Sequence, residues 1–195
     1  MRNLFATQLY EADLTEPGLL DDLAHSIRSL AADDRAGIGW SREHGYKGYT
    51  SYASLDDLPV RDPAFADLKR LLTRHAATFA KDLAWDVKPK LDSLWVNLLK
   101  GGGHHGGHIH PHSILSGTLY VEAPPGSGAI RFEDPRLGQM MAAPQRRADA
   151  PEALRTFVIV DPRPGLLLLW ESFLRHEVLS GTTKSERLSI SFNFA

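Results

Sequence analysis

Two periodicities divide the chain. Through the first ninety residues apolar side chains return every three or four positions; beyond that they alternate or run together in short bursts. Leu19, Leu23, Ile27 and Leu30 share one face of a 3.6-residue repeat and predict an amphipathic helix over about 17–32. Asp62-Pro63 reads as an N-cap followed by the first helical position. Phe65, Leu68, Leu72, Ala76, Phe79 and Leu83 then form one stripe, which predicts a helix near 63–83. Between the two, G-I-G-W-S-R-E-H-G-Y-K-G-Y-T-S-Y (37–52) is rich in glycine and aromatics. It reads as an ordered loop packed on the surface, with a substrate-covering lid as the competing interpretation.

From residue 91 the signal is β. L-D-S-L-W-V-N-L-L (91–99), I-L-S-G-T-L-Y-V (114–121), A-I-R-F (129–132), F-V-I-V (157–160), L-L-L-L-W (166–170) and R-L-S-I-S-F-N-F (187–194) each predict a strand. Residues 133–155 carry three prolines and many charges and read as a long loop. Many short strands with frequent turn signals argue for an α+β chain with a mainly β sandwich or barrel core. N-terminal helices (1–90) would cover one face of the β core (91–195), the whole forming a single domain over 1–195. In the last strand Arg187, Ser189, Ser191 and Asn193 alternate with Leu188, Ile190, Phe192 and Phe194. A polar face with an arginine and small hydroxyls suits the wet interior of a ligand-binding barrel, the apolar face then lying beneath the helices.

Composition narrows the classes. The chain has 195 residues and a net charge of −2, with 43% hydrophobic and 24% charged residues, ordinary values for a globular protein. No basic stripe points to nucleic acid, and no stretch is apolar enough to span a membrane. The absence of cysteine excludes disulfides, thiolate metal sites and cysteine nucleophiles. With an N-terminus unlike a signal peptide, it leads us to expect a cytoplasmic protein. Oligomeric state is not legible.

The candidate chemistry lies in G-G-G-H-H-G-G-H-I-H-P-H-S, where five of the nine histidines fall (His104, His105, His108, His110 and His112). Imidazole is the commonest neutral metal ligand near pH 7. On a strand, residues two apart share a face, so His108 and His110 can aim at one ion. His176, far down the chain, supplies a third ligand of the kind an enclosed catalytic site needs. His104 and His105, set among glycines, read as exposed loop residues. His112 reads as a surface or supporting residue, and His25, His44 and His75 as structural or exposed. Asp134-Pro135-Arg136 reads as a turn, Asp134 being a remote candidate for a metal carboxylate.

Taken in order, W-V-N-L-L-K-G-G-G, H-I-H-P-H-S-I-L-S-G-T-L-Y-V, F-E-D-P-R, G-L-L-L-L-W-E-S-F-L-R-H-E-V and R-L-S-I-S-F-N resemble the 2-oxoglutarate–Fe(II) oxygenase family, most strongly over 94–194. L-F-A-T-Q-L-Y and G-Y-T-S-Y extend the likeness towards the N-terminus. The resemblance implies a double-stranded β-helix (jelly roll, cupin-like). It implies Fe(II) as metal, with 2-oxoglutarate and dioxygen as co-substrates, and it supplies no primary substrate. The superfamily's usual ligands are H-x-D/E and a distant histidine. His108 and His176 match; His110 stands in the carboxylate's place. It is therefore either a third neutral ligand, leaving the iron its full 2+ charge, or a bystander to a two-histidine site. The resemblance also implies that Arg187 binds the far carboxylate of 2-oxoglutarate, assisted by Ser189. A guanidinium suits this because it makes two parallel charge-assisted bonds to a carboxylate. Tyr120 and Asn97 are further candidates to line that cavity, against plain core or hydrogen-bonding roles.

Two rivals keep the histidines. A three-histidine zinc hydrolase would use zinc to lower the pKa of a bound water to about 7. A cupin-like binding protein would hold metal or a small acid without turnover. Arg187 and Ser189 favour the oxygenase over the hydrolase; the sequence does not separate an active oxygenase from a binder.

Overall fold

The computed structural model describes residues 2–195. Strand β1 (Leu9–Asp13) leads into helices α1 (Leu19–Asp33) and α2 (Arg35–Glu43), strand β2 (Gly48–Thr50), the single turn α3 (Leu58–Arg61) and helix α4 (Pro63–Asp82). Strands β3 (Leu91–Leu99), β4 (His105–His108), β5 (Leu115–Glu122), β6 (Ile130–Glu133), β7 (Phe157–Val160), β8 (Leu166–Glu171), β9 (His176–Val178) and β10 (Arg187–Phe194) follow. They form two antiparallel sheets, of order β1-β8-β5-β10-β3-β2 and β4-β9-β6-β7. The architecture is the double-stranded β-helix, with helices against the larger sheet.

Both helices follow from the apolar stripes. The Asp62 carboxylate accepts the Ala64 N–H at 2.8 Å and Pro63 opens α4, as the N-cap signal predicts. Helix α1 starts two residues later than expected because Gly18 takes a left-handed conformation (φ 78°) that ends the turn before it. Leu23, Ile27, Phe65, Leu68 and Leu72 are fully buried in one core with Val96, Leu119, Ile190 and Phe192 of the larger sheet. Each such side chain contributes about 1.5–3 kcal/mol on leaving water.

The segment 37–52 is not a loop. Residues up to Glu43 belong to α2, and Gly48–Thr50 pair as an edge strand with Leu99, Leu98 and Asn97. Two glycines blur the helical periodicity, but Asp34 supplies the start by accepting the Gly37 N–H at 3.0 Å. Tyr49, Thr50 and Ser51 are buried, so this part of the segment is built in rather than laid over the surface. The long 133–155 connection carries two short 3₁₀ turns, Leu137–Gln139 and Glu152–Leu154.

Strand β10 divides two environments. Leu188, Ile190, Phe192 and Phe194 enter the helix-covered core, while Arg187, Ser189 and Ser191 line a cavity between the sheets. Asn193 bonds with Ser116 and Ser93 on the strands to either side. The polar face therefore points inward, as the alternation suggests. Among the described residues, no helix is long and apolar enough to cross a membrane.

Candidate active site

His108 on β4 and His176 on β9 are direct partners across the ladder, their ring centroids 4.4 Å apart. His110 sits just beyond the end of β4, so strand alternation alone does not aim it. Its backbone N–H donates to the Ser172 carbonyl at 3.1 Å, which keeps the chain extended before Pro111. Its ring centroid lies 6.0 Å from that of Trp95 and 5.2 Å from that of His176, nearly parallel to the latter, and its Nε2 lies 3.3 Å from His176 Nε2. One nitrogen from each of His108, His110 and His176 falls in a group whose members all lie within 4.8 Å of one another.

The ring orientations are set from behind. His108 Nδ1 lies 2.8 Å from the Gly106 carbonyl and His176 Nδ1 lies 2.9 Å from the Leu174 carbonyl. A carbonyl only accepts, so both rings carry their proton on Nδ1 and leave the Nε2 lone pair free. Burial, with the neighbouring histidines adding to it, pushes His176 down to about 3 and His110 down to about 4. Both are neutral near pH 7, the form that ligates. Two nitrogens each about 2.1 Å from a common ion stand roughly 3.0–3.4 Å apart; the His110–His176 separation of 3.3 Å fits. An all-imidazole donor set suits iron, zinc, copper or nickel.

The co-substrate candidates meet in the same cavity. Cross-strand register places Tyr120, Ser189 and Asn97 in one row over β5, β10 and β3. All three line the cavity with Arg187 and the three histidines. Arg187 is 3% exposed. Its Nη1 donates to the Gly128 carbonyl at 3.0 Å, while its Nε is buried without a partner. Its guanidinium carbon lies 5.5 Å from the centre of the Tyr120 ring. None of the residues lining the cavity is acidic, so the guanidinium charge has no counter-ion there. Burial, partly offset by the Arg187 charge, raises the Tyr120 phenol to about 12, so it stays a neutral O–H. Asn97 is largely engaged by protein: its Oδ1 accepts from Thr50 and Tyr46 and its Nδ2 donates to Ser191 at 3.1 Å. It braces the row and retains one amide hydrogen.

Several expectations change here. His105 is not an exposed loop residue. It opens β4 opposite Val178, lines the cavity, and its Nε2 is buried without a hydrogen bond. Burial and then the Arg187 charge push its imidazole down to about 4. His104 and His112 are exposed, and His112 takes a positive φ of 72°. Asp134 is held by the Arg136 guanidinium at 2.9 and 2.7 Å and does not line the cavity. His75 bonds Tyr10, and His44 stacks on Trp40. Sequence reasoning missed Trp95 and Tyr46. Trp95 backs His110, and Tyr46 packs on His105 with ring centroids 5.1 Å apart. Their roles depend on contacts between elements that no local pattern encodes.

Solved structures share this architecture. The epimerase SnoN from nogalamycin biosynthesis, in complex with Fe3+, alpha ketoglutarate and nogalamycin RO, aligns with TM-score 0.65 and 16% identity over 97% of this chain and 79% of its own. A Pseudomonas putida prolyl-4-hydroxylase aligns with TM-score 0.63 and 18% identity over 96% and 92%. A 2OG-Fe(II) oxygenase-family oxidoreductase from Burkholderia pseudomallei aligns with TM-score 0.50 and 16% identity over 68% of this chain; the match spans 55% of that longer protein. No curated protein sequence matches the chain. The profile of the family described as "Putative 2OG-Fe(II) oxygenase" matches residues 93–193, which carry all three clustered histidines, Arg187 and Ser189. The chain belongs to the 2OG-Fe(II) oxygenase family.

Proposed function

We propose that His108, His110 and His176 hold Fe(II), that Arg187 and Ser189 anchor the far carboxylate of 2-oxoglutarate, and that the protein hydroxylates an organic substrate. When bound, iron and 2-oxoglutarate supply oxygen activation coupled to decarboxylation to succinate. The chain's own residues do the rest. The Gly106 and Leu174 carbonyls fix the tautomers of two ligands, and Trp95 and Trp170 wall the histidines with aromatic surface. Tyr120 and Ser189 present neutral hydroxyl groups beside the guanidinium. With His110 in the carboxylate's usual place, the metal keeps its full charge, which favours an anionic co-substrate. The absence of cysteine supports the cytoplasm as its compartment.

The single observation that carries this reading is Arg187: a buried cation without a carboxylate partner, in the cavity that also receives three convergent imidazoles. A buried charge needs compensation, and a dicarboxylate bound at the metal provides it. A zinc hydrolase accounts for the histidines and leaves Arg187 without a purpose.

The test is anaerobic reconstitution with Fe(II), addition of 2-oxoglutarate, and a search for the weak visible charge-transfer band of the chelate. Admission of oxygen should then release succinate. If no band forms and no succinate appears, while zinc binds and an ester is cleaved, the hydrolase replaces this reading.

A further inference from the structure

Among the described residues, four buried side-chain nitrogens lack any hydrogen-bond partner: Arg131 Nε, His105 Nε2, Trp170 Nε1 and Arg187 Nε. The guanidinium of Arg131 is already paired, with Glu177. The other three residues line the cavity between the sheets. Unpartnered buried polar nitrogens are rare in folded proteins; Arg187 Nε and Trp170 Nε1 can only donate, and their concentration in one cavity with His105 points to a ligand rich in acceptor oxygens. Arg187 is accounted for by the reading above; His105 is not.

We propose that His105 donates an Nε2–H hydrogen bond to the distal carboxylate of 2-oxoglutarate beside Arg187, and so makes the site selective for a 2-oxo acid with a carboxylate at its far end. The inference rests on the co-substrate reading above. Three placements support it. His105 and the metal-site histidine His108 occupy opposite ends of β4, facing Val178 and His176 on β9. With the irregularity between them, they span about 7–10 Å of extended chain, the scale of a five-carbon dicarboxylate. His105 and Arg187 line the same cavity, and no acidic side chain lines it to absorb either donor. Finally, the ring is braced: Tyr46 packs on it while the Tyr46 hydroxyl donates to Asn97 Oδ1 at 3.3 Å.

The bond is read by comparing two acids that share a 2-oxo acid head and differ at the far end. Wild-type, His105→Leu and His105→Gln proteins, loaded anaerobically with Fe(II), are titrated calorimetrically with 2-oxoglutarate and with 2-oxobutyrate. His105→Leu should weaken 2-oxoglutarate about tenfold, the range of a hydrogen bond to a charged group. It should leave 2-oxobutyrate and Fe(II) affinity unchanged, and His105→Gln, which keeps an N–H, should recover most of the loss. Unchanged 2-oxoglutarate binding in His105→Leu, or equal loss for both acids, overturns the proposal while the co-substrate reading stands. A wild-type protein that binds Fe(II) and no 2-oxoglutarate overturns both, and shows this before any variant is made.

Discussion

His108 and His176 face each other across the β4–β9 ladder, each ring held by a carbonyl two residues upstream in its own chain. The two rings are thereby oriented independently of any ion. Replacing either by alanine should lower Fe(II) affinity by at least on the order of 100-fold, since even the loss of supporting groups at metal sites reaches that size. Calorimetry or metal analysis after dialysis checks it.

His110 separates the two metal readings. His110→Asp should retain metal and change turnover, because it restores a negative ligand. His110→Ala should weaken Fe(II) binding; unchanged binding and turnover in both variants would make His110 a bystander.

Arg187 should affect binding and stability in opposite directions. Arg187→Met should weaken 2-oxoglutarate binding by about 2 kcal/mol or more, in line with losing one partner of a buried charge pair. Arg187→Lys should recover only part, because an ammonium cannot form the same fork. In the protein without co-substrate, Arg187→Met should raise the melting temperature by a few degrees, since an uncompensated buried cation is replaced by an apolar chain. Thermal scans with and without 2-oxoglutarate read both effects.

Asp34 joins α1, α2 and the 48–54 segment. Its carboxylate accepts from Gly37 N–H, from Tyr49 at 2.8 Å and from Ser54 at 2.6 Å. Burial favours its neutral form, but the bonds from Ser54, Gly37 and Tyr49 outweigh that and hold the carboxyl below its ordinary 3.8. The unfolded chain therefore binds this proton first as pH falls. The resulting stability is fully present above the ordinary value and is lost as pH drops through the lowered folded one. Asp34→Asn should flatten that acid limb, and Asp34→Ala should cost about 2–3 kcal/mol near neutrality through the lost cap and the stranded donors. Denaturant melts across pH measure both.

Gly117 is enclosed on β5. A Cβ there would lie 2.4 Å from the Phe192 ring and 2.6 Å from the Leu168 carbonyl. Gly117→Ala should destabilise by about 1–3 kcal/mol through overpacking, read as a shift in urea midpoint at constant slope.

What the sequence made legible follows from where each signal resides. Strands β3, β7 and β10 begin and end where their apolar runs do, and α4 starts at its Asp-Pro cap, because pattern and burial coincide there. Strand β4 reads His-Gly-Gly-His and β9 has three residues, so neither carries a periodicity; β4 exists because it pairs with β9, and β9 because it pairs with β4 and β6. The same cause separates the site residues. His108, His110 and His176 could be nominated from spacing and from the order of blocks along the chain. His105 could not, since it stands between His104 and Gly106 in a glycine-rich run and its burial arises only when β4 pairs with β9. Asp34 is not singled out by the sequence, because two glycines in the following turn mask the helix it starts.

The alternation along β10 has an engineering consequence. Positions 187, 189 and 191 meet ligand space, while 188, 190, 192 and 194 meet the helices. Libraries confined to odd positions should therefore reshape selectivity with modest penalties in foldedness, and libraries at even positions should do the reverse. A one-residue slip of this strand would exchange the two sets, turning the reaction chamber greasy and the scaffold polar at once. Chemistry and architecture would fail together, so a misregistered chain should survive neither as an enzyme nor as a stable fold.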